Sequence, residues 1–293
     1  MSHAMTRLIR LNRDLRVDFF RGYALFCIFI GHIPDHALWI ITIQVLGPSD
    51  ATETFIFLAG YSAAFAYSRA LDDNGFLYAA VGVMLRVWQL YVVHIFMFVA
   101  FVGQVSWSAV RFANPAYVDE QNIGAFLEMP HEAVIAALLL RFQPAFMDIL
   151  PLYIVVLLLF IPLLPLLRRP LWLLLPSAGL YLVVRTTGLT LTTTTGHWFF
   201  NPLASQFLFV LGAVVNRLDD AGKARLARGR AVLLPLSVLG ALIGLGISAV
   251  WRVPSAFALL PEHVAVAIYT RIDKSGLHPA RLLHFLSLAY LMA

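Results

Sequence analysis

Seven stretches of the chain stay predominantly apolar for about the length of a bilayer crossing, at residues 17–36, 51–70, 82–106, 148–167, 171–187, 199–216 and 231–251. A hydrocarbon core about 30 Å thick takes about 17–25 helical residues to cross. An eighth stretch starts near Leu282 and is still apolar at Ala293. Twelve residues of helix cover only about 18 Å, so this span is expected to continue in a longer protein. Nothing between the stretches is large enough to be a soluble domain. Residues 1–293 are therefore expected to form a single integral-membrane domain, all-α, a polytopic membrane helix bundle of about eight transmembrane helices.

Composition agrees. Hydrophobic residues make up 60% and charged residues 13% of the chain, against about 45–50% and about 25% in soluble proteins. The net charge of +5 does not indicate nucleic acid, because the bases cluster at alternate ends of the apolar runs and form no continuous stripe. Arg7, Arg10, Arg13, Arg16, Arg69, Arg168, Arg169 and the group Arg217, Lys223, Arg225, Arg228 and Arg230 fall on one side if the first helix starts inside. Asp35, Asp50, Asp119, Glu120, Glu128, Glu262 and Asp273 fall on the other. The positive-inside rule then predicts a multi-pass protein of the bacterial inner membrane with a cytoplasmic N-terminus. The opening resembles a signal sequence, yet no small-x-small cleavage site follows and the apolar stretch holds Asp18 and Arg21, so an uncleaved helix is expected. The single cysteine, Cys27, excludes an intramolecular disulfide and a cysteine metal site. Residues 132–146 are expected as an amphipathic segment at the outer interface, and 252–280 as a mixed outer connection.

Ionisable groups within lipid cost at least about 2.5–3.5 kcal/mol at the centre and normally face a cavity or a partner. Arg21 and His32 lie eleven residues apart, three turns plus about 20°, hence on one face about 16 Å apart. Asp18 lies one turn before Arg21 and can neutralise it, which leaves a plain structural pair as the alternative. Asp50 and Glu53 open the second run; they fit either a capping box or carboxylates flanking His32 to orient its imidazole. In the third run, Arg86 can snorkel to the interface, whereas His94 lies too deep to do so. Asp148 starts the fourth run, as a helix-dipole cap or as a third carboxylate. His197 and Asn201 stand at the outer end of the sixth, and His278, Arg281 and His284 begin the eighth. Gly240, Gly244 and Gly246 read as a small-residue packing stripe, and the pair Ala59-Gly60 as a place where helices approach closely. No HExxH, CxxC, Walker or GxGxxG motif stands in a usable context, so no metal site is expected.

Arg21 and His32 on a first membrane helix, followed by Phe55-Ile56-Phe57-Leu58-Ala59-Gly60-Tyr61 on the second, resemble the acyltransferase-3 superfamily. Four stretches resemble its OpgC branch more closely: Leu15-Arg16-Val17-Asp18-Phe19-Phe20-Arg21-Gly22, Ser49-Asp50-Ala51-Thr52-Glu53-Thr54, Met147-Asp148-Ile149-Leu150-Pro151-Leu152-Tyr153 and Asp273-Lys274-Ser275-Gly276-Leu277-His278-Pro279. The resemblance implies a succinyltransferase acting on osmoregulated periplasmic glucans, with succinyl-coenzyme A as donor and no tightly bound cofactor. For that reaction His32 is the expected general base, with one or more of Asp50, Glu53 and Asp148 orienting it, and Arg21 and Arg86 are expected to attract the anionic donor. Asp18, His94, His197, Asn201 and His278 are expected to line the substrate path. The expected partners are the lipid bilayer, the donor, a periplasmic glucan and, as an option, further copies of the chain in a homo-oligomer. Two features depart from the pattern: Arg86 stands alone where the superfamily carries several arginines, and about eight helices stand where members have about ten. From the residues alone, a secondary transporter or flippase for a polar glycan or anionic substrate is the alternative, since buried His, Asp and Arg also suit proton coupling, although no inverted repeat is visible.

Overall fold

The computed structural model describes residues 15–33, 37–194 and 196–292. Arg7, Arg10 and Arg13, the Pro34-Asp35-His36 stretch and Thr195 lie outside the described residues. The chain runs through α1 (Leu15–Gly31), two 3₁₀ turns (Ala37–Ile41 and Ile43–Leu46), α2 (Ala51–Asn74) and α3 (Phe76–Arg111). Short helices follow: α4 (Ala116–Glu120), α5 (Gly124–Glu128) and α6 (Pro130–Leu138). Then come α7 (Ile149–Phe160), continued by a 3₁₀ helix (Ile161–Arg168), and α8 (Pro170–Thr187). A hairpin of β1 (Thr192–Thr193) and β2 (Gly196–His197) pairs Thr192 with His197 in antiparallel register. The last elements are α9 (Pro202–Asn216), α10 (Asp220–Arg228), α11 (Arg230–Arg252), α12 (Pro254–Ala258), α13 (Glu262–Arg271) and α14 (Pro279–Met292).

Among the described residues, each of the eight apolar runs is largely helical. Three helical segments, α3, α11 and α7 with its 3₁₀ continuation, are long and apolar enough to cross a membrane. The outer surface of α3 fits such a setting: Leu77, Phe96 and Val110 are 78%, 71% and 84% exposed, side chains that water would not favour in such density. The remaining runs are shorter, as in α1 with 17 residues and α14 with 14, or carry polar interruptions, as α2 does at Glu53, Arg69 and Asp72.

Prolines set many boundaries. Pro130, Pro170, Pro202 and Pro254 open their helices, where a missing N–H costs nothing and the fixed φ suits the first turn. Pro162 and Pro165 fall inside the fourth run; each removes a donor and clashes with the preceding turn, and the run tightens from α to 3₁₀ after Phe160. Gly75, at φ +84°, separates α2 from α3 with a backbone conformation that a side chain would disfavour.

The chain divides into two compact units interleaved in sequence. The first comprises residues up to 59, then 220–272, then 279 onward. In it α14 packs along α11, and Ala24, Cys27, Ile43 and Ala51 form a small buried cluster. Of the three expected packing glycines, Gly240 faces Ser287 and Gly244 faces the His284 ring, each with no room for a Cβ. Gly246 faces open space and is corrected out of the stripe: two residues past Gly244 it lies about 200° round the helix.

The second unit comprises 60–219 and 273–278. Its centre is α9, packed on α8 and α7, with Leu157, Phe160, Leu173, Leu208 and Phe209 closed from solvent. Gly60 lies against the backbone of Phe209, where a Cβ would collide with the carbonyl, which is the close approach expected of Ala59-Gly60. A second cluster joins Phe98, Val102 and Val105 of α3 to Ile123, Ala137 and Phe142.

Candidate functional site

The first turn of α2 gathers the most densely charged buried group among the described residues. Asp50 caps the helix: its Oδ1 accepts from the Thr52 N–H at 2.8 Å, while Glu53 Oε2 accepts from the Asp50 N–H at 2.9 Å. This is a reciprocal capping box, so the capping alternative for these two residues is realised. It uses only one oxygen of each carboxylate. The other two face Arg281 of α14, whose Nε donates to Glu53 Oε1 at 2.7 Å and whose Nη2 stands 3.4 Å from Asp50 Oδ2. Asp50, Glu53 and Arg281 are 7%, 3% and 5% exposed. The positive end of the α2 dipole lies at the same place and favours carboxylates there.

Beside the triad lies a serine–histidine pair. His284 is fully enclosed; Ser49 Oγ stands 2.7 Å from His284 Nδ1, and Leu46 O stands 3.1 Å from Nε2. A carbonyl only accepts, so Nε2 carries the proton in this network and Nδ1 accepts from the serine hydroxyl. The ring fits between Gly47 and Gly244, at both of which a Cβ would strike the imidazole.

The expected site residues distribute over the two units. His32 belongs to the first and stands exposed in the turn just past α1. Asp18 and Arg21 lie one turn apart on α1, both half-buried. Asp148 belongs to the second unit, directly before α7, and its side chain makes no capping hydrogen bond. Arg86 lies on the exposed face of α3, with Nη1 3.4 Å from Gln89 Oε1. His94 lies on the buried stripe of the same helix, fully enclosed, with neither ring nitrogen meeting a hydrogen-bond partner among the described residues. His197 is exposed on β2.

Asn201 and the turn ahead of α14 meet in a polar junction of the second unit. Asn201 Oδ1 caps α9 through the Leu203 N–H, its Nδ2 donates to Leu189 O at 2.7 Å, and its own N–H donates to Ser275 O at 3.0 Å. Arg185 donates to Asp273 Oδ1 at 2.9 Å and to Gly276 O at 3.3 Å, and Tyr181 donates its hydroxyl to Leu277 O at 2.8 Å. Asp273 Oδ2 accepts from the Gly276 N–H at 2.6 Å. His278 is half-buried at the end of this turn. No group of three His, Cys, Asp or Glu side chains gathers as a metal site among the described residues.

Sequence reasoning noticed Arg281 and His284 without a partner for either. The available signal was their spacing: two polar groups three residues apart on a short apolar helix must share a buried face and find partners there.

Compared with known families, residues 13–293 match the model described as OpgC protein. No curated protein and no solved structure matches the chain.

Proposed function

The chain belongs to the OpgC family, and on that premise we propose that it is an integral-membrane O-acyltransferase moving a succinyl group from cytoplasmic succinyl-coenzyme A to sugar hydroxyls of periplasmic glucans. The observation that carries this reading is the span of the match, which covers nearly the whole chain and every stretch with buried charge. The membrane setting rests on three helical segments of crossing length and apolarity; the apolar runs support about eight crossings, and the loop charges support an inner-membrane orientation with a cytoplasmic N-terminus.

The chemistry asks for a base near the operating pH, and His32 is assigned that role. Its imidazole takes the proton of the sugar hydroxyl as the oxygen attacks the thioester carbonyl carbon. The C–S bond then breaks, and the coenzyme A thiolate recovers the proton from the imidazolium. Asp50 and Glu53, in the same unit as His32, supply negative charge that favours the imidazolium; Asp148 is assigned a supporting role as a third carboxylate. Arg21 and Arg86 attract the donor's phosphates or its succinyl carboxylate, with the pantetheine arm threading along α1. Asp18, His94, His197, Asn201 and His278 line the path of donor and acceptor.

The test uses purified protein in lipid with succinyl-coenzyme A and glucan, followed by mass spectrometry. Free coenzyme A and a heavier glucan are expected from the parent chain. His32→Ala should insert normally and lose transfer by about 10²–10⁴-fold, the worth of a general base. Full-rate succinylation by that variant removes His32 from the reaction.

A further inference from the structure

Arg281 and His284 are spaced i, i+3 on α14, so their side chains leave one face of one helix. Both reach the segment Leu46–Glu53, and between them they engage four of its polar groups: the guanidinium donates toward Glu53 Oε1 and Asp50 Oδ2, the imidazole Nε2 donates to Leu46 O, and the Ser49 hydroxyl donates to Nδ1. The ring itself is fixed between Gly47 and Gly244. The start of α2 is thus pinned in position and direction by a single rigid element.

Joining α2 to α14 needs no charge. One turn past Glu53, Phe57 already packs on Phe285 with ring centroids 5.3 Å apart, and apolar contacts of that kind hold helices together without the desolvation cost of buried ions. A buried cluster of charged groups is an expensive way to gain stability. What it supplies is direction: each carboxylate has one oxygen fixed by the cap and the other by Arg281.

We infer that Arg281 and His284 are positioning residues for acyl transfer, fixing the Asp50 and Glu53 carboxylates in the orientation that the reacting imidazole requires. The inference rests on the assignment of those carboxylates to the reaction made above. Neither α14 side chain touches the reacting atoms; both act through the segment they hold.

Initial rates of coenzyme A release from the full chain in lipid, at varied succinyl-coenzyme A and glucan, test it. Arg281→Gln should lower kcat by about 10²-fold, as misplacement of a catalytic group by roughly 1 Å does. KM for the donor should stay within about twofold, because no ground-state contact is removed. Arg281→Lys, which keeps the charge and loses the fork, should recover part of kcat. His284→Asn, which keeps an acceptor near the Nδ1 position, should retain more kcat than His284→Leu. Melting temperatures of the variants separate this from unfolding; should Arg281→Gln not fold, the two His284 variants decide alone. Unchanged kcat in folded variants overturns the inference. So does a raised donor KM with kcat intact, which would make Arg281 a donor ligand, or a succinyl adduct on Ser49, which would make the serine a reactive group. Asp50→Asn and Glu53→Gln run alongside: full activity in both sinks the underlying assignment, whereas their loss with active Arg281 and His284 variants sinks only the inference.

Discussion

At the scale of single residues, two glycines of α11 that sequence spacing groups together make opposite predictions. Gly244 leaves room for the His284 ring and for nothing more, while nothing lies within reach of a Cβ on Gly246. Gly244→Ala should therefore destabilise the first unit by about 1–3 kcal/mol through overpacking. Gly246→Ala should be neutral or stabilise by about 0.5–1 kcal/mol, since alanine restricts the unfolded chain and suits a helix interior. Thermal unfolding in detergent measures both; equal effects would show that His284 does not occupy the slot. The same scale shows where sequence runs out. Asp50 and Glu53 are legible as a helix start, because a cap and its partner three residues on are neighbours in the chain. The arginine that completes them stands 228 residues beyond Glu53, and no local pattern carries that pairing.

At the scale of elements, the turn at 273–278 behaves as a docked part of the second unit, held by Arg185, Tyr181 and Asn201. Arg185→Met removes two of its bonds. The Asp273 side chain is 38% exposed and recovers part of the loss from water, so a cost of about 1 kcal/mol is expected. Amide hydrogen exchange across 274–278 should quicken while that of α9 stays as it was; unchanged exchange at Gly276 would show that Arg185 does not hold the turn. This junction lies inside the region read from sequence as a mixed connection over 252–280. The region instead folds largely into α12 and α13, started by Pro254 and preceded by Pro261, with Trp251 Nε1 donating to Ile268 O. Its mixed polarity concealed the helices because α13 carries charge at both ends, Glu262 and Arg271. Residues 132–146 hid a boundary for another reason: α6 ends at Leu138 and Leu140 turns at φ +58°, a reversal that a leucine gives no sign of. The long apolar runs were legible because nothing but helix satisfies their backbone in lipid.

At the scale of the whole molecule, the proposed direction of transfer requires the loops to alternate between a donor side and an acceptor side. The bases concentrate between α9 and α11, at Arg217, Lys223, Arg225 and Arg228. Acids concentrate between α3 and α6, at Asp119, Glu120 and Glu128. Three apolar runs, those of α7, α8 and α9, separate the two loops, an odd number that puts them on opposite sides if each run crosses. Asp119 and Lys223 are both exposed, and the one native cysteine, Cys27, is buried, so single-cysteine labelling is clean on a Cys27→Ala background. In intact cells a membrane-impermeant maleimide should modify Asp119→Cys at once and Lys223→Cys only after the inner membrane is opened. Labelling of both from the same side would mean that at least one of the three runs does not cross. A succinyl group carried from cytoplasm to periplasm would then have no consistent route through this chain.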